Sequence, residues 1–209
     1  MKDLNWTGAI SNGPIDDRVE ASLDASGDDN NVVSAIGNRI YFYSEVTRTK
    51  ILELNRSIVK LGNQFKTSSD LLGNDPAHIK LHINSYGGSV FAGFSAVDYI
   101  RNSKVPVTSI IDGCAASAAT IMSVVAQERL MHENSFMLIH QLSSMMWGKY
   151  AALKDDMINN DLLMVKIKGI YENHTKIPKK ELDKLLSHDL WWDAKKCLRY
   201  GMIDGIITP

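Results

Sequence analysis

The chain has 209 residues, of which 44% are hydrophobic, and this supports one globular domain with a substantial core. Its 23 basic and 24 acidic residues leave a formal net charge of −1, so no strongly positive surface argues for binding to nucleic acid or to an anionic membrane. The two cysteines, Cys114 and Cys197, lie among apolar neighbours and not in a metal-binding pair, which favours buried thiols in a reducing compartment and argues against a zinc site.

The first thirty or so residues differ in composition from the rest of the chain. The opening residues show no basic end followed by an apolar run, and no later stretch approaches the length that spans a bilayer. Residues 11–31 are rich in Gly, Asp and Asn and poor in large apolar side chains, which is typical of a loop. We therefore expect a cytoplasmic protein with a flexible N-terminal arm at 1–31 and a single domain at 32–209.

Strand and helix patterns alternate from residue 38 onward. Alternating or β-branched apolar residues predict strands, and apolar residues spaced three or four apart predict helices. In chain order these patterns are a strand at 38–46, a helix at 47–65, a strand at 79–83, a helix at 89–103, a strand at 105–112, a helix-like run at 120–126, a strand at 136–142 and a long helix at about 150–173. Regular alternation implies right-handed βαβ crossovers and a mainly parallel sheet with helices packed against it.

Ser117 stands among small residues in the segment DGCAASAAT, between a strand-like and a helix-like run. A helix that begins with small residues exposes unpaired backbone N–H groups and lets another chain approach closely, so it suits an oxyanion hole. A serine is an effective nucleophile near neutral pH only when a base takes its proton. Close packing or N-capping also explains a lone serine, so this segment alone leaves the role of Ser117 open.

His140 is the best candidate for that base. Of the six histidines, it alone lies near the end of a strongly apolar strand, FMLIH, which would hold its ring rigidly. A histidine at the edge of the core, satisfied by a backbone carbonyl, is the alternative interpretation. Spacing along the chain cannot decide between them, since the members of a catalytic triad converge from unrelated sequence positions.

Four segments carry a more specific signal when they are read together. They are INSYGGSVFAGFSAVDYI, GCAAS, LIHQ and HDLWWDAKKCLRYGMIDGII. In order and approximate spacing they resemble the ClpP family, the proteolytic subunits of the Clp protease, over about residues 38–207. The resemblance implies an α/β fold of the ClpP/crotonase type, with repeated β-β-α or βαβ units and a protruding handle helix. It also implies a serine endopeptidase that works inside a ring-shaped chamber without a cofactor or metal.

The resemblance also implies the roles of individual residues. It makes Ser117 the nucleophile, His140 the general base and Asp189 the group that orients the histidine. The backbone N–H groups of Gly87 and Ala118 would form the oxyanion hole. Asp193, which precedes AKK, is better explained as the N-cap of the last helix.

The same family likeness predicts the partners. It implies peptide or unfolded-protein substrates, heptameric rings of identical subunits that stack in pairs through the handle helix, and an AAA+ unfoldase in ATP-dependent degradation. Relatives that dock an unfoldase carry aromatic side chains where this chain has Lys80 and His82, so we expect a weakened docking pocket. The chain also has Tyr86 and Leu142 where the family has prolines.

Three other functions remain open at this stage. The first is a processing protease of the same fold that needs no unfoldase, in which a lysine such as Lys154 is the base. The second is an inactive ring subunit, although such subunits typically lose members of the triad. The third is a crotonase-type acyl-CoA enzyme, although no basic cluster suited to the phosphates of CoA stands out.

Overall fold

The computed structural model describes residues 32–208, which form one eight-stranded sheet and six helices. The strands are β1 (Val32–Ile36), β2 (Arg39–Tyr43), β3 (Ile79–Ser85), β4 (Val107–Ala116), β5 (Glu128–His132), β6 (Phe136–Ile139), β7 (Leu190–Asp193) and β8 (Gly205–Ile207). The helices are α1 (Arg48–Leu72), α2 (Val90–Arg101), α3 (Ala118–Val124), α4 (Tyr150–His174), α5 (Lys179–Leu186) and α6 (Ala194–Arg199). The flexible arm predicted at 1–31 lies outside the described residues.

The sheet is mainly parallel, as the alternating pattern predicts. Its strands lie in the order β1-β2-β3-β4-β5-β8, and β6 pairs with β4 and with β7. Only the β1–β2 and β6–β7 pairs within the described chain are antiparallel. The α/β fold class predicted from the sequence is therefore confirmed.

Strand β4 changes its neighbour part of the way along its length. Its first half, Thr108 to Ile111, pairs with β5, and its last residues, Cys114 to Ala116, pair with β6. Gly113 lies between the two halves with φ +80, a conformation that glycine adopts without strain. The N–H of Gly113 donates a hydrogen bond to Ser135 Oγ at 2.8 Å, which joins this kink to the residue just before β6.

Helix α1 shows both the strength and the limit of the periodic pattern. The four apolar residues that predict its buried face, Ile51, Leu54, Ile58 and Leu61, are all buried in the core. The helix ends at Leu72, beyond the predicted end at 65, and Gly73 caps it with φ +65. Residues 66–70 are polar and give no apolar period, but nothing before Gly73 stops helical hydrogen bonding.

Helix α4 occupies Tyr150–His174, close to the predicted 150–173. Only Ile167, Ile170 and Tyr171 on this helix are fully buried, so its contact with the core is confined to the C-terminal part. The strands β1, β5, β7 and β8 were not predicted from the sequence, because none of them lies in an alternating or continuous apolar run as long as those that predict β2 and β6. Within residues 32–208, no helix combines the length and apolar character that crossing a membrane requires.

Candidate active site

Ser117 forms the turn between β4 and α3 in an unusual backbone conformation. Its φ is +58 and its ψ is −127, and within residues 32–208 it is the only non-glycine residue with a positive φ. Such a conformation costs about 1–3 kcal/mol and persists only where the surroundings hold it. A strained serine at a sharp strand-to-helix turn is the geometry that presents a nucleophile in several hydrolases. No residue pattern in the sequence revealed this strain.

Gly87 packs directly against Ser117. A Cβ atom at Gly87 would lie 2.6 Å from Ser117 Cβ and 2.7 Å from the carbonyl oxygen of Ala116, closer than real atoms approach. Its φ of +100 also excludes an ordinary side chain. The first glycine of the pair in INSYGGSV therefore has a steric reason: only a residue without a side chain lets this loop approach the serine.

The pairing of β6 with β4 brings His140 towards Ser117. Ala116 lies opposite Leu138 in this parallel pair, and the N–H of Ser117 donates a hydrogen bond to the carbonyl oxygen of Leu138 at 2.9 Å. His140 follows two residues later, directly after β6, and is only 6% exposed. The register of two strands thus places the predicted base on the element next to the predicted nucleophile.

The antiparallel β6–β7 pair brings Asp189 to His140. Ile139 lies opposite Leu190, so the residues just beyond that pair are His140 and Asp189. The distance from His140 Nδ1 to Asp189 Oδ1 is 3.8 Å, which is within reach of an ion pair but longer than a hydrogen bond. Asp193 lies at the other end of β7, opposite Phe136, and its carboxylate caps α6 by accepting the N–H of Lys196 at 2.7 Å.

Burial lowers the pKa of His140 from its ordinary value. The charge of Asp189 and a hydrogen bond with the backbone of Gln141 act in the opposite direction, but they offset only part of the effect. The imidazole is therefore neutral at pH 7, which is the form that accepts a proton.

The hydroxyl of Ser117 is buried, and its Oγ has no hydrogen-bond partner within the described part of the chain. The hydroxyl therefore does not donate to His140 in this conformation. Catalytic hydrogen bonds often tighten only when substrate is bound. The structure brings Ser117, His140 and Asp189 onto adjoining elements. In this conformation Ser117 Oγ is not hydrogen-bonded to His140, and the 3.8 Å from His140 to Asp189 exceeds hydrogen-bond length.

The two predicted oxyanion donors differ in their present partners. The N–H of Gly87 donates to Ser85 Oγ at 3.1 Å, so it must leave that hydroxyl before it can serve an oxyanion. Ala118 is the first residue of α3, where a backbone N–H has no acceptor within the helix. In this conformation the Gly87 N–H is thus engaged by Ser85 Oγ, whereas the Ala118 N–H has no acceptor in its own helix.

The two positions where the family has prolines make contacts of their own. The ring of Tyr86 meets the ring of Trp191 on β7 edge to face, with centroids 6.4 Å apart. Leu142 uses the backbone N–H that a proline would lack, and donates it to Met164 Sδ at 3.1 Å. At both positions this chain therefore has a residue that contacts a neighbouring element in place of a conformationally restricted proline.

Other polar residues near these motifs, including Lys154, have structural contacts. Ser89 caps α2 by accepting the N–H of Ala92, and the ammonium group of Lys154 lies over the ring of Tyr150 on the same helix. Asp204 is paired with Arg129. In the part of the chain that the structure describes, no group of three or more His, Cys, Asp or Glu side chains is placed to hold a metal ion.

A polar cluster around Asp112 was missed by the sequence analysis. Asp112 Oδ2 accepts hydrogen bonds from Tyr43 Oη at 2.7 Å and from His82 Nδ1 at 2.7 Å, and His132 Nε2 lies 3.3 Å from Oδ1. Burial by itself would raise the pKa of Asp112, but the hydrogen bonds from His82 and Tyr43 outweigh it and lower that pKa. In the sequence this cluster is visible only as a single acidic residue at the end of a β-branched strand. The spacing between Asp112 and its partners follows no pattern, because they come from other elements.

The pairing of His140 with Asp189 predicts the titration of the histidine. The pKa of His140 should lie below 6.5, and Asp189→Asn should lower it further, because the variant removes a negative charge that favours the imidazolium. Hydrogen–deuterium exchange at the imidazole C2 position, followed by mass spectrometry over a pH series, measures this pKa in large assemblies. Asp193→Asn is the matched control and should leave it unchanged. An equal pKa in wild type and Asp189→Asn would contradict the pairing.

Comparison with known proteins places the chain in a family. Residues 38–209 match the family model described as Clp protease. The ATP-dependent Clp protease proteolytic subunit 2 of Treponema denticola is 33% identical across 77% of this chain and 82% of its own length. The ATP-dependent Clp protease proteolytic subunit of Deinococcus radiodurans is 28% identical across 82% of this chain and 87% of its own length.

The fold is also found among solved structures. A ClpP1 mutant from Listeria monocytogenes matches with a TM-score of 0.70 and 21% identity, over 82% of this chain and 92% of that chain. The resemblance drawn from the four sequence segments is confirmed, because the family model covers most of the chain from the first predicted strand onward. The chain belongs to the Clp protease family.

Proposed function

We propose that this protein is a serine endopeptidase of the ClpP type, which hydrolyses peptide bonds through an acyl-enzyme. The convergence of Ser117, His140 and Asp189 on three adjoining elements carries the proposal. The strained backbone of Ser117 and the lowered pKa of His140 support it independently, because both suit a nucleophile and its base. Membership of the Clp protease family supports the same chemistry.

Acylation begins when His140 takes the hydroxyl proton of Ser117 and Oγ attacks the carbonyl carbon of the peptide. The negative charge moves to the carbonyl oxygen, where the N–H groups of Gly87 and Ala118 stabilise it. The tetrahedral intermediate then collapses, the C–N bond breaks, and His140 gives its proton to the leaving amine. The products of this step are a free amine and an ester on Ser117.

Deacylation repeats the sequence with water as the nucleophile. His140 takes a proton from water, the hydroxyl oxygen attacks the ester, and His140 returns the proton to Ser117 as the acid is released. Asp189 stabilises the imidazolium in both steps and holds the ring in one tautomer. The 3.8 Å separation of Asp189 from His140 must shorten for this, as must the separation of Ser117 Oγ from the ring.

A serine-directed fluorophosphonate tests the nucleophile directly. The wild type should gain one phosphonyl adduct, detected by intact-protein mass spectrometry and mapped to Ser117, because His140 activates that hydroxyl. Ser117→Ala should gain none and should cleave no peptide above the background rate. Ser57→Ala is the matched control, since Ser57 lies on α1 and donates to the carbonyl oxygen of Glu53 on the same helix.

An inactive ring subunit is the second candidate, favoured by the absence of a hydrogen bond on Ser117 Oγ within the described residues. Absence of any adduct on the assembled wild type would favour that function over the peptidase. An adduct that persists in Ser117→Ala would remove Ser117 from the mechanism and leave another serine to be found.

The stacking of rings in pairs is supported by the exposed apolar face of α4. Met157, Ile158, Leu162 and Val165 are between 58% and 69% exposed, although all four are large apolar residues. Contiguous apolar side chains on a soluble protein mark an interaction surface, since leaving them in water is unfavourable. We infer that this face packs against other copies of the chain, as the handle helix of the family implies.

Leu162→Glu should reduce the size of the assembly, because it buries a charge in that interface. Native mass spectrometry and sedimentation velocity measure the change, and circular dichroism shows whether the subunit remains folded. Asn159→Glu places the same charge on an exposed polar position of the same helix and should assemble as the wild type does. A Leu162→Glu protein of unchanged mass would exclude this face from the interface.

An AAA+ unfoldase is the partner that the family implies, and the structure supports weak docking at β3. His82 is only 5% exposed, its ring stacks on Tyr41 with centroids 4.7 Å apart, and it is hydrogen-bonded to Asp112. An apolar segment that docked here would have to desolvate the carboxylate of Asp112. The residues at this surface therefore disfavour the apolar pocket that relatives with aromatic side chains offer.

Added unfoldase and ATP should therefore stimulate degradation of an unfolded protein only weakly. The double variant Lys80→Tyr/His82→Tyr should respond more strongly, because it restores aromatic side chains at the two positions. Degradation of fluorescent casein, with peptide cleavage as the measure of intact active sites, follows both proteins. Strong stimulation of the wild type would contradict the weakened pocket.

A further inference from the structure

The carbonyl group of Ser117 is held by a buried chain of hydrogen bonds. Thr120 Oγ1 donates to the Ser117 carbonyl oxygen at 2.6 Å, and the N–H of Thr120 donates to the same oxygen at 3.0 Å. The Thr120 hydroxyl also lies 2.6 Å from the hydroxyl of Tyr171, which belongs to α4. Thr120 and Tyr171 are both 0% exposed, so water does not compete for these bonds.

The direction of this chain follows from counting protons. A threonine hydroxyl has one proton, and the Ser117 carbonyl can only accept, so Thr120 donates to it. Tyr171 must then donate to Thr120. Burial raises the pKa of Tyr171, so the phenol keeps its proton at every working pH. The three groups form one directed series, from Tyr171 through Thr120 to Ser117.

The atom at the end of this series orients two groups that the proposed reaction uses. The carbonyl of Ser117 and the N–H of Ala118 belong to the same planar peptide unit, so fixing the oxygen fixes the direction of the N–H. The Ala118 N–H is one of the two proposed oxyanion donors. The ψ angle of Ser117 sets the direction of this same carbonyl. Hydrogen bonds to the carbonyl oxygen therefore also hold the strained conformation of Ser117, which persists only where neighbouring groups hold it.

We propose that Thr120 and Tyr171 are positioning residues of the active site, which act through the Ser117 carbonyl to hold the nucleophile turn and aim the Ala118 N–H. This inference rests on the proposed peptidase function. Neither residue contacts substrate, so neither is catalytic. Tyr171 lies beside the buried Ile167 and Ile170, where α4 is anchored in the core. The long helix therefore contributes one hydroxyl to the active site, besides its exposed face.

Three variants measure the contributions of the Thr120 and Tyr171 hydroxyl groups separately. Thr120→Val keeps the shape of the side chain and removes the bond to Ser117, Tyr171→Phe removes only the outer donor, and Thr120→Ser keeps the hydroxyl. Steady-state cleavage of a fluorogenic peptide should show kcat lowered roughly tenfold to hundredfold in Thr120→Val, with KM within about twofold of wild type, because the donor is misdirected in the transition state. Tyr171→Phe should lose less, and Thr120→Ser should retain most of the activity.

Two further measurements distinguish positioning from a general loss of stability. The double variant Thr120→Val/Tyr171→Phe should be no slower than Thr120→Val alone, because the series is already interrupted at Thr120. In the pH profile of kcat/KM the plateau should fall while the apparent pKa stays unchanged, since His140 is not altered. Tyr43→Phe is the matched control: it removes a phenol hydroxyl from a hydrogen bond to Asp112 and should lower Tm without lowering kcat.

Full activity in a folded Thr120→Val protein would overturn the inference, and so would a loss of kcat in Tyr43→Phe as large as that in Tyr171→Phe. These outcomes are distinct from failure of the proposed function. A wild type that neither cleaves peptide nor gains a fluorophosphonate adduct at Ser117 would overturn the peptidase function, and with it the positioning role. An active wild type with an active Thr120→Val variant would overturn only the latter.

Discussion

The parallel pairing of β6 with the last residues of β4 is the contact on which the candidate site depends. The hydrogen bond from the Ser117 N–H to the carbonyl of Leu138 continues that pairing into the turn. It sets His140 beside the serine, and the antiparallel β7 then sets Asp189 beside the histidine. A shift of one residue in the β4–β6 register would turn the side chain of His140 to the other face of the sheet, and the same shift in the β6–β7 register would move Asp189 away from it.

The pairing also explains why the site contains so many small residues. At Gly113 the strand that pairs with β4 changes from β5 to β6. The loop of Gly87 lies against Ser117, where a side chain would collide. Small residues let these backbones approach, and the N–H groups of Gly113 and Gly87 donate to the neighbouring hydroxyls of Ser135 and Ser85. Close packing and a reactive geometry are therefore two consequences of one arrangement, and not competing explanations of Ser117.

Much of the fold could be predicted because its signal is local. The buried face of α1 follows from four apolar residues at helical spacing, and the parallel sheet follows from alternating elements. The end of α1 was missed because a polar run conceals a helix that continues, and four short strands were missed because no long alternating or apolar run marks them. The hydrogen bond between Thr120 and Tyr171 was beyond prediction, since the two residues are 51 positions apart along the chain.

The sequence by itself determined the family, the α/β class and a set of candidate residues, because motifs and apolar periods are properties of neighbouring positions along the chain. Only the tertiary structure decided that Asp189 lies within 3.8 Å of His140, that Ser117 is strained, and that Asp112 is surrounded by Tyr43 and two histidines. These facts depend on strand register, on burial and on distances of a few ångströms between residues far apart in the chain. No spacing along a single chain carries that information, because many registers and packings are compatible with the same pattern.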